Sequence, residues 1–204
     1  MAEVSANLVR ELREKTGAGV MDCKKALAEA NGDLEKAVAW LRERGIARAA
    51  RRAGRLASEG SIGAYIHAGG KLGVLVEVNC ESDFVAKTPE FQTLVKEVAM
   101  QIAAANPRCV RREELPREVI QQERQIYASQ SAGKPEPIVN KIVEGKLEKF
   151  YREVCLLEQS YVRNLNRTIA DLIGEYVGKL GEKIEVRRFV RYQLGEGLDG
   201  GGAT

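Results

Sequence analysis

Several groups of residues in this chain have types or spacings that chemistry can use. His67 and Cys80 are a candidate base and thiol nucleophile, because a histidine that accepts a cysteine proton makes the sulfur reactive. They fall on neighbouring strands of an expected hairpin, and pairing across its turn sets His67 beside Leu72 rather than Cys80. Gly17-Ala18-Gly19 has the glycines of a phosphate loop. It lacks both the G-x-G-x-x-G spacing and the lysine of G-x-x-x-x-G-K-[ST], and it follows a helical pattern, so it reads as a helix terminator. Arg44, Arg48, Arg51, Arg52 and Arg55 recur at spacings of three and four, one side of a helix that could neutralise a row of phosphates on RNA. No aromatic residues are interleaved for base stacking, which favours a solvated connector or one facing an acidic protein surface. Asp83 and Phe84 stand together between a strand and a helix. Either Phe84 folds beneath that helix while Asp83 makes a turn, or both face outward and meet a partner.

The cysteines Cys23, Cys80, Cys109 and Cys155 include no Cys-x-x-Cys pair, and His67 is the single histidine. That set does not make a zinc site, and each thiol lies in or beside an apolar stretch, as a buried, reduced cysteine does. No catalytic residues, cofactor or metal are expected.

These residues are carried by elements with clear punctuation. Ser5 is an N-cap candidate for a helix with the stripe Leu8, Val9, Leu12. Asp22 would cap a second helix with Cys23, Ala26, Leu27 and Ala30, which Asn31-Gly32 breaks. Asp33 would cap a third with Leu34, Ala37, Val38 and Leu41, with Gly45 at its C-terminal end. A small bundle over residues 1–45 follows, then a basic helical connector over 46–59.

From residue 60 the period changes to two. Ile62, Ala64 and Ile66 alternate, Ala68-Gly69-Gly70-Lys71 turns, and Leu72, Val74, Val76 and Val78 alternate again, a β-hairpin. The chain leaves it through Glu81 to Lys87, and Thr88 with Pro89 opens a helix bearing Phe91, Leu94, Val95, Val98 and Ile102 on a broad apolar face. A pair of helices is expected over about 116–131 and 137–154. A later helix carries Ile169, Leu172, Ile173, Val177 and Leu180 and stops at Gly181, and Ile184 to Leu194 forms a third strand. The fold class is therefore α+β: a three-helix bundle, then a core domain over 60–195 with a three-stranded antiparallel sheet covered by helices. A Gly-rich flexible tail over 196–204 completes the reading.

Length and composition agree with one domain plus a small satellite: 204 residues, 30% charged and 44% hydrophobic. A formal net charge of +3 is too small for the whole-molecule field to imply nucleic acid. Met1-Ala2-Glu3-Val4 lacks the cationic start of a secretory signal, so a cytoplasmic protein without membrane attachment is expected.

The stretches T-G-A-G-V-M-D-C-K-K-A-L before Ala28, V-N-C-E-S-D-F-V-A-K after Glu77, and those at Lys141 and Gly181 together resemble the elongation factor Ts family, the guanine-nucleotide exchange factors of elongation factor Tu. T-G-A-G-V-M-D-C-K-K-A-L, within Leu8 to Leu27, resembles that family's ubiquitin-associated-like N-terminal domain. V-N-C-E-S-D-F-V-A-K from Val78 to Lys87 resembles its core signature, and the segments Lys141 to Gln159 and Gly181 to Gly195 also fit. Ser82 stands where the family usually has threonine, and Val20-Met21 where two methionines are frequent. The resemblance is to the short form, with one core half rather than two. It implies that Phe84 wedges into an apolar gap of the GTPase and that Asp83 disturbs its Mg²⁺ and phosphate network, with Ser82 and Val85 shaping the strand-to-helix loop. It further implies anchoring contacts by Arg10, Arg13, Val20, Met21, Lys24 and Arg52. A homodimer is expected, because the short sheet has open edges and a two-fold partner would supply the missing surface. Strand 184–194 is the candidate interface, with Phe189 and Val190 on its two faces and Arg187, Arg188 and Arg191 splayed to the rim.

Overall fold

The computed structural model describes residues 5–52 and 54–197, without the side chains of Ile46, Arg48, Ala49 and Ala50. The N-terminal reading on Met1 to Val4, the tail from residue 198 onward and the side chain of Arg48 in the arginine row lie outside the described residues.

The elements run α1 (Ala6–Thr16), α2 (Val20–Glu29), α3 (Leu34–Arg52), β1 (Glu59–Ile66), β2 (Leu72–Cys80), α4 (Asp83–Ala86), α5 (Pro89–Ala105), α6 (Arg117–Ser129), α7 (Glu136–Val154), β3 (Ser160–Tyr161), β4 (Asn164–Thr168), α8 (Ile169–Leu180) and β5 (Ile184–Gln193). The fold is α+β, with an antiparallel three-stranded sheet in the order β1-β2-β5 and a separate β3-β4 hairpin. Two compact units are distinguished. The first comprises Met1–Ile62, Glu77–Val95 and Ala170–Glu185, and the second Gly63–Val76, Lys96–Ile169 and Val186–Thr204.

In the first unit α1, α2 and α3 enclose Leu12, Cys23, Ala26, Leu27, Ala30 and Ala37, flanked by Leu8, Val9, Leu34, Trp40 and Leu41. The Ser5 hydroxyl accepts the Leu8 amide and the Asp33 carboxylate accepts the Lys36 amide, two of the three caps expected from the sequence. Gly17, at φ 65°, ends α1 in the left-handed region, where a Cβ would be strained. Asp22 is not the cap of α2: that helix begins at Val20 after Gly19, and Asp22 lies in its first turn, where a carboxylate meets the positive end of the helix dipole.

Gly45 does not end α3, which continues to Arg52. The residue is small for another reason. A Cβ built on it would lie 2.8 Å from the Gly174 carbonyl oxygen of α8, so the missing side chain permits a close backbone approach. The basic stretch expected as a connector is thus mostly the last two turns of α3, and residues 54–58 are not helical. Arg42 and Asp171 form an ion pair between α3 and α8.

In the second unit α6 and α7 form the expected helical pair, with Leu115, Phe150 and Val154 buried around Cys109 and Cys155. These two thiols meet at an Sγ–Sγ distance of 3.6 Å, because residues 109 and 155 are paired in a short parallel bridge. The β3-β4 hairpin carries no clear period in the sequence. It is held by a buried amide: the Gln101 side chain donates to the Gln159 side-chain oxygen and the Ser160 carbonyl, each at 3.2 Å, and accepts the Val162 amide at 2.9 Å. The His67 amide donates to the Leu72 carbonyl, closing the β1-β2 turn as its register requires. Arg191 does not splay to the rim of β5. Its side chain is largely covered and donates to the Ala103 carbonyl and the Gln193 side chain.

Candidate functional site

The turn after β2 is built from residues whose polar groups are nearly all engaged. Ser82 is extended and caps α4, its hydroxyl accepting the Val85 amide at 3.3 Å. The Ala86 and Lys87 amides return to the carbonyls of Ser82 and Asp83, so what the sequence suggested was an open loop is one turn of helix. The Thr88 hydroxyl donates to the Val85 carbonyl at 2.7 Å and accepts the Phe91 amide at 3.2 Å, linking α4 to the first turn of α5. The Gln92 side chain donates to the Ala86 carbonyl at 2.8 Å. Beneath the turn, the Cys80 thiol donates to the Ser82 carbonyl at 3.1 Å. Burial and the nearby Glu182 carboxylate push that thiol up to about 11, which leaves it a protonated donor rather than a nucleophile.

A second strand of contacts joins this turn to the residues before β5. One oxygen of Glu182 accepts the amides of Glu81 and Ser82 at 3.1 and 3.0 Å, and the other accepts the Ser82 hydroxyl at 2.6 Å. In the reverse direction the Glu81 carboxylate accepts the Lys183 amide at 2.6 Å and the Arg55 guanidinium at 3.1 Å. The Lys183 amide, and then Arg55, hold the Glu81 carboxyl below its ordinary value. The Lys183 ammonium donates to the Arg55 carbonyl at 2.9 Å.

Of the four signature residues, Val85 is buried and anchors the turn, while Phe84 keeps 78% of its surface exposed. The reading in which Phe84 folds beneath the helix is therefore wrong. Its neighbours Val85 and Ala86 take the inward positions on a four-residue helix, which leaves Phe84 on the outer side. Asp83 is also exposed and pairs with Lys87 at 2.7 Å, and that ammonium lowers the Asp83 carboxyl from its ordinary value. A bare aromatic ring beside an ionised carboxylate, on a mount with its backbone bonds satisfied, has no bond-breaking chemistry of its own. It is suited to insertion into another surface.

The bundle residues singled out from the sequence divide into two sets. Arg10, Arg13, Val20 and Lys24 line one groove with Ala6 and Val9, between α1 and α2. Met21 is 77% exposed, an unusual position for a large apolar side chain. Arg52 is at the end of α3, and its positive charge contributes to the lowering of Glu81. Within the arginine row, Arg44 lies over the Trp40 ring at 4.6 Å and Arg55 pairs with Glu81.

A family model described as Elongation factor TS matches residues 3–196. The chain belongs to the elongation factor Ts family. An elongation factor Ts of Desulforamulus reducens is 59% identical over 201 residues, 98% of this chain and 93% of the relative. That of a Thermoanaerobacter species is 59% identical over 198 residues, 96% of this chain and 97% of the relative. That of Heliobacterium modesticaldum is 60% identical over 197 residues, 96% and 92% of the two chains. Family membership over nearly the full length makes this a translation elongation factor. No helix among the described residues is long and apolar enough to cross a membrane.

Sequence reasoning singled out Ser82 to Val85 at this turn and missed what holds it. Glu182 and Lys183 lie in a stretch recognised only as similar to the family, and Glu81 was read as part of a loop. A glycine stop followed by an acid, Gly181-Glu182, was the available signal. Nothing in the periodicity connects it to Ser82, a hundred residues earlier.

Proposed function

We propose that this chain binds elongation factor Tu in its GDP-bound and nucleotide-free states and accelerates GDP release, acting as a guanine-nucleotide exchange factor and not as an enzyme on covalent bonds. The observation that carries this reading is the exposed Phe84 beside Asp83, held on a hydrogen-bonded turn within the family signature. Phe84 enters an apolar gap of the GTPase domain, and Asp83 disturbs the partner's Mg²⁺ and phosphate contacts, with Ser82 and Val85 setting the shape of the turn. Arg10, Arg13, Val20 and Lys24 anchor the GTPase through the α1-α2 groove, together with the exposed Met21 and assisted by Arg52, so residues 1–45 act as an affinity domain and 60–195 as the core domain.

Linkage governs the mechanism. If the chain weakens GDP binding by some factor, GDP weakens binding of the chain by that same factor, and a short-lived ternary complex is the route of exchange. The arginine row is engaged in part within the chain, at Trp40 and Glu81, which supports a protein-facing role over RNA binding. The setting is the cytoplasm, where the GTPase works. The unit that acts is a homodimer. In the second unit Ile66, Leu75, Val190, Tyr192 and Leu194 are exposed apolar side chains on strands or at their ends, more than a solitary surface needs.

Release of fluorescent GDP from elongation factor Tu, followed with increasing amounts of the chain, tests the proposal. Acceleration that saturates with concentration is expected. An unchanged release rate at tens of micromolar chain refutes it.

A further inference from the structure

We infer that Glu182 is a positioning residue for nucleotide exchange, acting through the turn that presents Asp83 and Phe84; this rests on the exchange reading above. Phe84 is exposed, so packing within its own chain does little to fix the ring, and its direction is set by the backbone of α4. That backbone is set by Ser82, whose hydroxyl must hold two bonds at once: it donates to Glu182 at 2.6 Å and accepts the Val85 amide at 3.3 Å. Donation to the carboxylate directs the hydroxyl hydrogen away from Val85, leaving a lone pair for that amide. The other Glu182 oxygen takes the Glu81 and Ser82 amides, where the chain turns out of β2. A single carboxylate therefore satisfies three donors of the segment that aims the wedge.

The contacts also run the other way, from the Lys183 amide to Glu81, so the two segments hold each other through both carboxylates. Glu182 itself need not touch the partner. Its removal leaves Phe84 and Asp83 present with their orientation released, and the loss of positioning is read as rate. Glu182→Ala takes the acceptor from all three donors. Glu182→Asp keeps the charge on a shorter arm, which withdraws the oxygens from the amides. Glu182→Gln keeps one oxygen for the amides and offers its NH₂ to the Ser82 oxygen.

The experiment measures fluorescent GDP release from elongation factor Tu with the full chain over a range of concentrations, together with hydrogen exchange of the 81–85 amides. The wild type is expected to accelerate release. Glu182→Ala and Glu182→Asp are expected to lower the saturating rate about ten-fold or more, with a much smaller change in the half-saturating concentration. Glu182→Gln is expected to restore most of that loss. Amides 81–85 should lose protection in the Ala and Asp variants while those of α1 to α3 keep theirs. In Phe84→Ala, adding Glu182→Ala should cost less than it does in the wild type, because the part of its effect that runs through the ring is already lost; two independent roles would multiply. A wild-type rate in Glu182→Asp, a loss confined to affinity, or a fully multiplicative double variant overturns the inference while leaving the exchange reading intact. A wild-type chain that does not accelerate release overturns the reading and this inference with it.

Discussion

Phe84→Ala separates a surface wedge from a core residue, because the two roles differ in size and in the property they change. The ring retains 78% of its surface. About a fifth of a side chain that presents about 200 Å² is then covered within the fold, and at about 25 cal/mol per Å² truncation costs about 1 kcal/mol of stability. A buried phenylalanine would cost about 3–5 kcal/mol. The exposed remainder, about 150 Å², contributes up to about 4 kcal/mol if a partner cleft covers it completely in the transition state for release. That corresponds to about a thousandfold in rate, and half of it to about thirtyfold. Stimulated GDP release by Phe84→Ala should therefore fall by about thirtyfold to a thousandfold, with a urea midpoint close to that of the wild type. Stopped-flow release of fluorescent GDP and equilibrium unfolding, on one preparation, make the comparison. A variant that loses several kcal/mol of stability, or one that stimulates release as the wild type does, refutes the argument.

Three further outcomes follow from the structure. Gly45→Ala gains about 1 kcal/mol of helix propensity but sets a Cβ 2.8 Å from the Gly174 carbonyl, whereas a Cβ on Gly178 meets Gly45 at an ordinary 3.7 Å. Overpacking against backbone costs about 1–3 kcal/mol or more, so urea unfolding should show Gly45→Ala destabilised and Gly178→Ala neutral or stabilised; equal midpoints contradict the close approach. The Glu81 carboxyl is lowered in the fold, so its contribution is complete above its ordinary 4.5 and is lost as pH falls through the folded value. The melting-temperature advantage of wild type over Glu81→Gln should accordingly be full near neutrality and shrink below that pH, and an advantage that grows on acidification would reverse the assigned sign. Light scattering should give a dimer for the wild type and a monomer for Val190→Asp, and a monomeric wild type at micromolar concentration that still accelerates release removes the dimer from the mechanism.

The legible parts of the fold were those fixed by neighbours in sequence. Ser5 and Asp33 accept amides three residues on, and the His67-to-Leu72 bond closes a turn whose glycines announce it. Gly45 was misread because a glycine near the end of an apolar stripe has the appearance of a cap. Its real constraint is a backbone 129 residues away, at Gly174. The β3-β4 hairpin was not legible, since β3 is too short to show a period of two and its support is the single buried amide of Gln101. The meeting of Cys109 and Cys155 was hidden for the same reason, because cysteine spacing does not reveal which segments pair.

The same division runs through the proposed site and follows from how a wedge would work. A residue that acts by insertion must be exposed, so the fold cannot hold it by burial, the strongest means available to an aromatic ring. Its orientation then depends on backbone hydrogen bonds, and those at a strand end need acceptors from elsewhere in the chain. The signature supplies some of them locally, through Ser82 and Thr88. The remainder come from Glu182, and the reciprocal bond from Lys183 ends on Glu81. The tip can be found in a short motif because its four residues, Ser82 to Val85, are adjacent in sequence. The mount cannot, because any segment that brings a carboxylate to the two amides would serve, and only the folded chain shows which one does. Substitutions that leave Ser82, Asp83, Phe84 and Val85 intact are therefore expected to loosen the turn where its hydrogen bonds end, at Glu182 and Lys183.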